Sequence, residues 1–182
     1  MATHVVIGDP HCTPKASNER FLWAGRLAAD VGATHIICMG DFCSMDSLSS
    51  YDKKKKSFEG RRYRKDMEHS HQALAMFNKG LGKHKAKKIM LHGNHEDRID
   101  RFVDENPELD GTLKISDLNF KAFGWQEVPY KSNKVIDGIY YAHHFPSGIL
   151  GSAISGENIA RTLLTKHKVS ATVGHSHLLD YA

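Results

Sequence analysis

Five apolar runs in this chain each end in a burst of Asp, Asn or His. His4-Val5-Val6-Ile7 runs into Gly8-Asp9-Pro10-His11, and Thr34 to Met39 into Gly40-Asp41. Lys87 to Leu91 leads to Gly93-Asn94-His95-Glu96, Ile139-Tyr140-Tyr141-Ala142 to His143-His144, and Val169 to Val173 to Gly174-His175-Ser176-His177. Short apolar, β-branched runs of this kind read as buried strands. In α/β sheets, ligand sites form at the carboxyl ends of the strands. One chemistry repeated at five such ends therefore demands a fold in which those ends meet. Glycine precedes the polar residues in four of the five, where the backbone must turn sharply without a Cβ clash.

Between the strands the pattern turns helical. Ser17 to Val31 carries an apolar stripe of Phe21, Leu22, Leu27, Ala28 and Val31, with Ser17 or Asn18 as its cap. Phe58 to Leu81 is the longest helical stretch, with Met67, Leu74, Ala75, Phe77 and Leu81 apolar. His95 to Val103 and Glu157 to His167 complete the set. From Trp125 to Ala142 the pattern changes to short strands, with a turn at Gly138. Alternation early and clustered strands later predict a layered α/β domain, its sheet parallel at first and mixed afterwards. A length of 182 residues suits one domain, residues 1–182, and no linker or repeat divides it.

Composition excludes several classes. No apolar run approaches the roughly 20 residues that span a bilayer, so no membrane association is expected. The start of the chain has no signal-peptide pattern. Cys12, Cys38 and Cys43 are odd in number and lack CxxC spacing, which argues for a reducing, cytoplasmic setting over a disulfide scaffold or zinc ribbon. The net charge of +4 favours an anionic partner without establishing nucleic acid as that partner.

The strand-end residues suit divalent metals. Asp offers an anionic oxygen able to bridge two ions, Asn a neutral carbonyl, and His an imidazole nitrogen. Asp9, His11, Asp41, Asn94, His143, His175 and His177 are more donors than one ion requires. Two ions about 3.5–4 Å apart and sharing a carboxylate would use them all, with Asp41 as the natural bridge.

Asp9-Pro10-His11, Gly40-Asp41, Gly93-Asn94-His95-Glu96, His143 and Gly174-His175-Ser176-His177 resemble, in order, the motif series of calcineurin-like metallophosphoesterases. The resemblance spans about residues 4 to 177 and is nearest to compact bacterial and phage members. It implies a two-sheet α/β sandwich flanked by helices. It also implies two divalent transition-metal ions, Mn²⁺ first, with Fe, Zn²⁺ or Ni²⁺ accepted by the same donors. By position, Asp9, His11 and His177 hold one ion, Asn94, His143 and His175 the other, and Asp41 bridges. His143 is preferred to His144 because it directly follows the strand; His144 then faces substrate or solvent. His95 matches the catalytic histidine, which binds no metal and acts on the leaving group or on phosphoryl charge. The implied reaction is phosphoester hydrolysis by metal-activated hydroxide, with no covalent intermediate.

Two features depart from the family. Where protein phosphatases read GDxxDRG and use the second Asp to hold the catalytic His, this chain has Ser44. That leaves the orientation of His95 without an explanation and counts against a protein phosphatase of the eukaryotic type. Only five residues follow His177, where family members add strands, so a truncated or minimal form is expected.

The basic segment Lys53-Lys54-Lys55-Lys56 with Arg61-Arg62-Tyr63-Arg64-Lys65 reads first as a solvated loop and helix start. Its second reading is a steering patch for a nucleic acid or nucleotide, with Tyr51 and Tyr63 stacking on bases. Arg98 either contacts phosphate or pairs with Asp97 or Asp100. His69 and His71 are expected at the surface, and Phe123 and Trp125 in the core. A phosphodiesterase or nuclease-like activity leads. A phosphomonoesterase, acting on protein or small molecules, and a non-catalytic binding module organised by metal are the alternatives. The oligomeric state is open.

Overall fold

A computed structural model describes residues 2–147 and 151–182. It has strands β1 (His4–Ile7), β2 (His35–Cys38), β3 (Lys87–Leu91) and β4 (Trp125–Val128), and helices α1 (Glu19–Asp30), α2 (Tyr63–Leu81) and α3 (Asp97–Glu105). They are followed by β5 (Asn133–Ile136), β6 (Ile139–Ala142), β7 (Pro146–Ser147), β8 (Ser152–Ala153), α4 (Ile159–His167) and β9 (Ala171–Val173). The first four strands form a parallel sheet in the order β1-β2-β3-β4. A second sheet runs β5-β6-β9, antiparallel then parallel, and β7 pairs antiparallel with β8 in a small two-stranded sheet. The expected change from parallel to mixed pairing thus occurs between separate sheets rather than within one.

Side-chain alternation sorts the layers. Ile36 and Cys38 of β2 join Met90 of β3 in a core with Phe21 and Ala28 of α1 and Leu74 and Phe77 of α2. The opposite-facing Ile37, Ile89 and Val128 share a second core with Ile136 and Tyr141 of the smaller sheet. A third cluster packs Ile159 and Leu163 of α4 against Ala142 and Phe145. Parallel strands added in one direction place their crossover helices on one face, which leaves the other face of the first sheet for the second.

α1 and α2 cross closely because both carry glycine at the contact. A Cβ on Gly25 would collide with the Phe77 carbonyl, and one on Gly80 with the Leu22 carbonyl. The buried face of α1 is accordingly Phe21, Gly25 and Ala28, whereas Leu27 and Val31 of the expected stripe are exposed. The long helix begins at Tyr63 rather than Phe58. Gly60 has φ +78° and Arg62 is extended, and three short 3₁₀ turns precede it at Asp46–Leu48, Ser50–Asp52 and Lys56–Phe58. On α2, Met67, Leu74, Phe77 and Leu81 are buried, but Ala75 is exposed. His69 and His71 are half-buried, and the ring of His71 hydrogen-bonds the Asp117 carbonyl at 2.8 Å. Trp125 is in the core, with Phe123 packed against it in part. Among the described residues, no helix is long and apolar enough to cross a membrane.

Candidate metal centre

The parallel order carries the ends of β1, β2 and β3 to one edge, and β6 and β9 end beside them. The loops after β1 and β2 keep pairing past the strands: the His11 N–H donates to the Asp41 carbonyl at 2.9 Å, and the Cys12 N–H to the Phe42 carbonyl at 2.7 Å. This holds His11 and Asp41 side by side. Four proposed ligands, His11, Asp41, His175 and His177, have positive φ of 45°, 47°, 69° and 56°. Such left-handed conformations in non-glycine residues cost energy and persist where surroundings enforce them, often at functional sites.

Glu96 is a main enforcer. Its fully buried carboxylate accepts N–H groups from Asp41 at 2.9 Å, Cys43 at 3.1 Å and Gly93 at 2.7 Å. One side chain thereby ties the loop after β2 to the loop after β3. Burial, with the Asp41 charge beside it, pushes the Glu96 carboxyl up to about 7. Two of its three partners lie 55 and 53 residues away, so no local pattern in the sequence signals this role.

The glycines at these strand ends serve close approach more than turning. A Cβ on Gly93 would overlap the Asp41 carboxylate, and one on Gly174 the Asp9 carboxylate. Gly40 alone among the strand-end glycines has positive φ, +98°, and a Cβ there would lie 2.7 Å from His143 Nδ1. Gly8 meets nothing within 4 Å, so its place in the pattern has no steric cause.

Every sequence-predicted ligand reaches one of two adjoining groups. In the first, Asn94 Oδ1 lies 3.0 Å from His143 Nε2 and 2.9 Å from His175 Nδ1, and those two nitrogens are 3.2 Å apart. His143 donates its Nδ1–H to the Met39 carbonyl at 2.8 Å, which leaves the Nε2 lone pair facing the Asn94 oxygen. In the second, His11 Nε2 is 3.0 Å from His177 Nε2, which is 3.5 Å from Asp9 Oδ2. Asp41 Oδ2 stands between the groups, 3.8 Å from His11 Nε2 and 3.6 Å from His143 Nε2. Its other oxygen accepts the His95 N–H at 2.9 Å. Asp9 is held by the His175 N–H on Oδ2, while its buried Oδ1 has no hydrogen-bond partner.

These donors fit divalent cations. Atoms bonded to one ion at about 2.1 Å sit roughly 3.0–3.4 Å apart, and the edges of the first group match. Two lone pairs facing each other at 3.0 Å, together with an unpartnered buried carboxylate oxygen, repel or remain unsatisfied without a cation or proton between them.

His95 donates its Nδ1–H to the Ser44 carbonyl at 2.7 Å. Ser44, which left the orientation of His95 without an explanation in the sequence, thus holds it through the main chain. Arg98 Nη1 donates to the same carbonyl at 2.8 Å, and Nη2 to His95 Nε2 at 3.2 Å. Arg98 therefore faces the site, and Arg101 takes the expected ion pair with Asp97 at 3.1 Å. Burial lowers the His95 pKa to about 4, partly opposed by the nearby Asp41 charge. His144 is buried rather than solvent-facing, with its ring 5.4 Å from that of His175. It joins His143 and His175 as a third potential donor, and burial lowers its pKa to about 4. Tyr63 is not free to stack, since its hydroxyl donates to Asp117 Oδ2 at 2.9 Å. Arg61 is turned inward to Asp52 at 2.7 Å, and Arg64 pairs with Glu68 at 2.8 Å. Besides Glu96, sequence reasoning missed Arg101, whose Nη2 donates to the Asn94 carbonyl at 3.2 Å, and Tyr130, whose ring is 5.3 Å from His144.

No protein-family model matches the chain, and no curated protein or solved structure matches it either.

Proposed function

We propose that this chain is a metal-dependent phosphoester hydrolase of the calcineurin-like metallophosphoesterase type, with phosphodiesters as its leading substrate class. The observation that carries the reading is the position of Asp41 Oδ2 between two groups of metal donors, with His95 alongside at 3.8 Å. The stacking of the two sheets between helices supports the sandwich architecture that this family implies.

Asp9, His11 and His177 would hold one cation, Asn94, His143 and His175 a second, and Asp41 both. Bound there, the ions supply an activated water and neutralise phosphate charge. The protein's own groups do the rest. Asn94 contributes a donor without adding negative charge that would repel an anionic substrate. Arg98 brings a permanent positive charge to the same side as His95. With Nδ1–H committed to the Ser44 carbonyl, His95 presents Nε2 to the reacting group. At rest, Nε2 accepts from Arg98. It donates to a leaving oxygen once it has taken up a proton from solvent, which an approaching phosphoryl anion favours.

The test is hydrolysis of bis-p-nitrophenyl phosphate and p-nitrophenyl phosphate with Mn²⁺, then after EDTA, then by His95→Ala. The expected result is metal-dependent turnover, faster on the diester, that EDTA abolishes. Metal binding with no turnover of either ester would favour a binding module instead. Preference for the monoester would point to a phosphomonoesterase.

A further inference from the structure

A pocket of about 220 Å³ adjoins the candidate metal centre and shares Asn94 with it. One wall is α3, which presents Arg98, Arg101, Phe102 and Glu105 at the i, i+3, i+4, i+7 spacing of a single helix face. The other is the pair of 3₁₀ turns around Leu48 and Tyr51. Tyr51 stands at the rim, 81% exposed, and the Lys53 ammonium lies 5.2 Å from the Phe102 ring centroid. Both guanidiniums are aimed rather than free. Arg98 is held by Ser44 and His95, and Arg101 by Asp97 and the Asn94 carbonyl. An arginine has five N–H donors, so each keeps some for a ligand.

We propose that this pocket receives the nucleoside next to the scissile phosphate of a single-stranded nucleic acid, its base stacked on Tyr51 and its neighbouring phosphates on Arg98 and Arg101. The assignment rests on the phosphoesterase reading and names its substrate class. Stacking platforms interleaved with fixed cations are what unpaired strands require, because each nucleotide offers a flat π-face and an anion. A base inside a duplex has no face to offer. The volume is below the roughly 300–1,000 Å³ of drug-sized sites and suits one ring system, not an extended ligand. Beyond the rim, Lys53, Lys54, Lys55 and Lys56 are all exposed and extend the positive track for the strand.

The test compares two Mn²⁺-dependent substrates with one leaving group: the p-nitrophenyl ester of thymidine 5′-monophosphate and methyl p-nitrophenyl phosphate. They differ only in the group that would enter the pocket. The wild type should show a KM about tenfold lower for the nucleoside ester, in line with one base–aromatic stack. Tyr51→Ala should erase that preference and Tyr51→Phe should keep it. Tyr51 is exposed, so neither change disturbs the core. Turnover of both esters with equal KM, or a preference that survives Tyr51→Ala, would overturn the pocket assignment and leave the hydrolase reading standing. Turnover of neither ester would overturn both.

Discussion

Two clusters of histidine and aspartate lie at opposite ends of the parallel sheet. At the carboxyl end are Asp9, His11, Asp41 and His177, with His143 and His175 beside them. At the amino end are His4, His35 and Asp137. Composition and proximity alone do not separate them. Hydrogen bonding does. His4 donates or accepts at both ring nitrogens, to the Tyr141 hydroxyl at 2.8 Å and to Asp137 Oδ2 at 2.9 Å, and His35 Nδ1 meets the Thr34 hydroxyl at 3.1 Å. That cluster is a clasp that joins β1 to the second sheet. At the carboxyl end the acceptors point at one another, and Asp9 Oδ1 has no partner. A donor set is poised for a cation when its lone pairs are unspent, not merely when it is close.

The sharpest break in this contrast is Asp41→Ala. Removing the shared carboxylate should lower turnover of bis-p-nitrophenyl phosphate to background and lower the metal stoichiometry measured by atomic absorption. His95→Ala comes next: on the proposed role of His95 as an acid–base group that binds no metal, kcat should fall about 10²–10⁴-fold with metal content retained. Glu96→Gln replaces one accepting oxygen by a donor that faces an N–H. Metal affinity by isothermal titration should weaken about 10–100-fold, the usual cost of disturbing groups that orient ligands. Gly93→Ala should destabilise the fold by about 1–3 kcal/mol in urea melts through overpacking against Asp41. The smallest effect belongs to the clasp: His4→Ala should cost about 1 kcal/mol of stability and leave metal content and turnover unchanged. Metal lost with His4→Ala would erase the distinction between the two clusters.

Much of the fold was legible. The runs at Val5 to Ile7, Ile36 to Cys38 and Ile89 to Leu91 read as strands because their periodicity and side-chain types are local properties. Boundaries failed where a long-range fit decided them. Leu27 was expected inside and is outside, because Gly25 sets which face of α1 meets α2. Phe58 was expected to be helical, but Gly60 breaks the run. At the candidate site, the kinds of side chain that could hold a metal and their places at strand ends were readable. Whether His144 faced solvent, what held His95, and what Glu96 did were not.

The sequence by itself determined which groups stand at the strand ends and that the strands alternate with helices early in the chain. Both follow from hydrophobic period and from the chemistry of single side chains. Only the tertiary structure decided that β6 and β9 finish beside β2, that the Ser44 carbonyl orients His95, and that Glu96 locks two loops together. It also decided that Gly93 and Gly174 are needed for contact rather than for turning. Each of these is a pairing of a buried group with a partner distant in the chain. Burial forces such a partner to exist, but nothing in the local pattern says which residue it is.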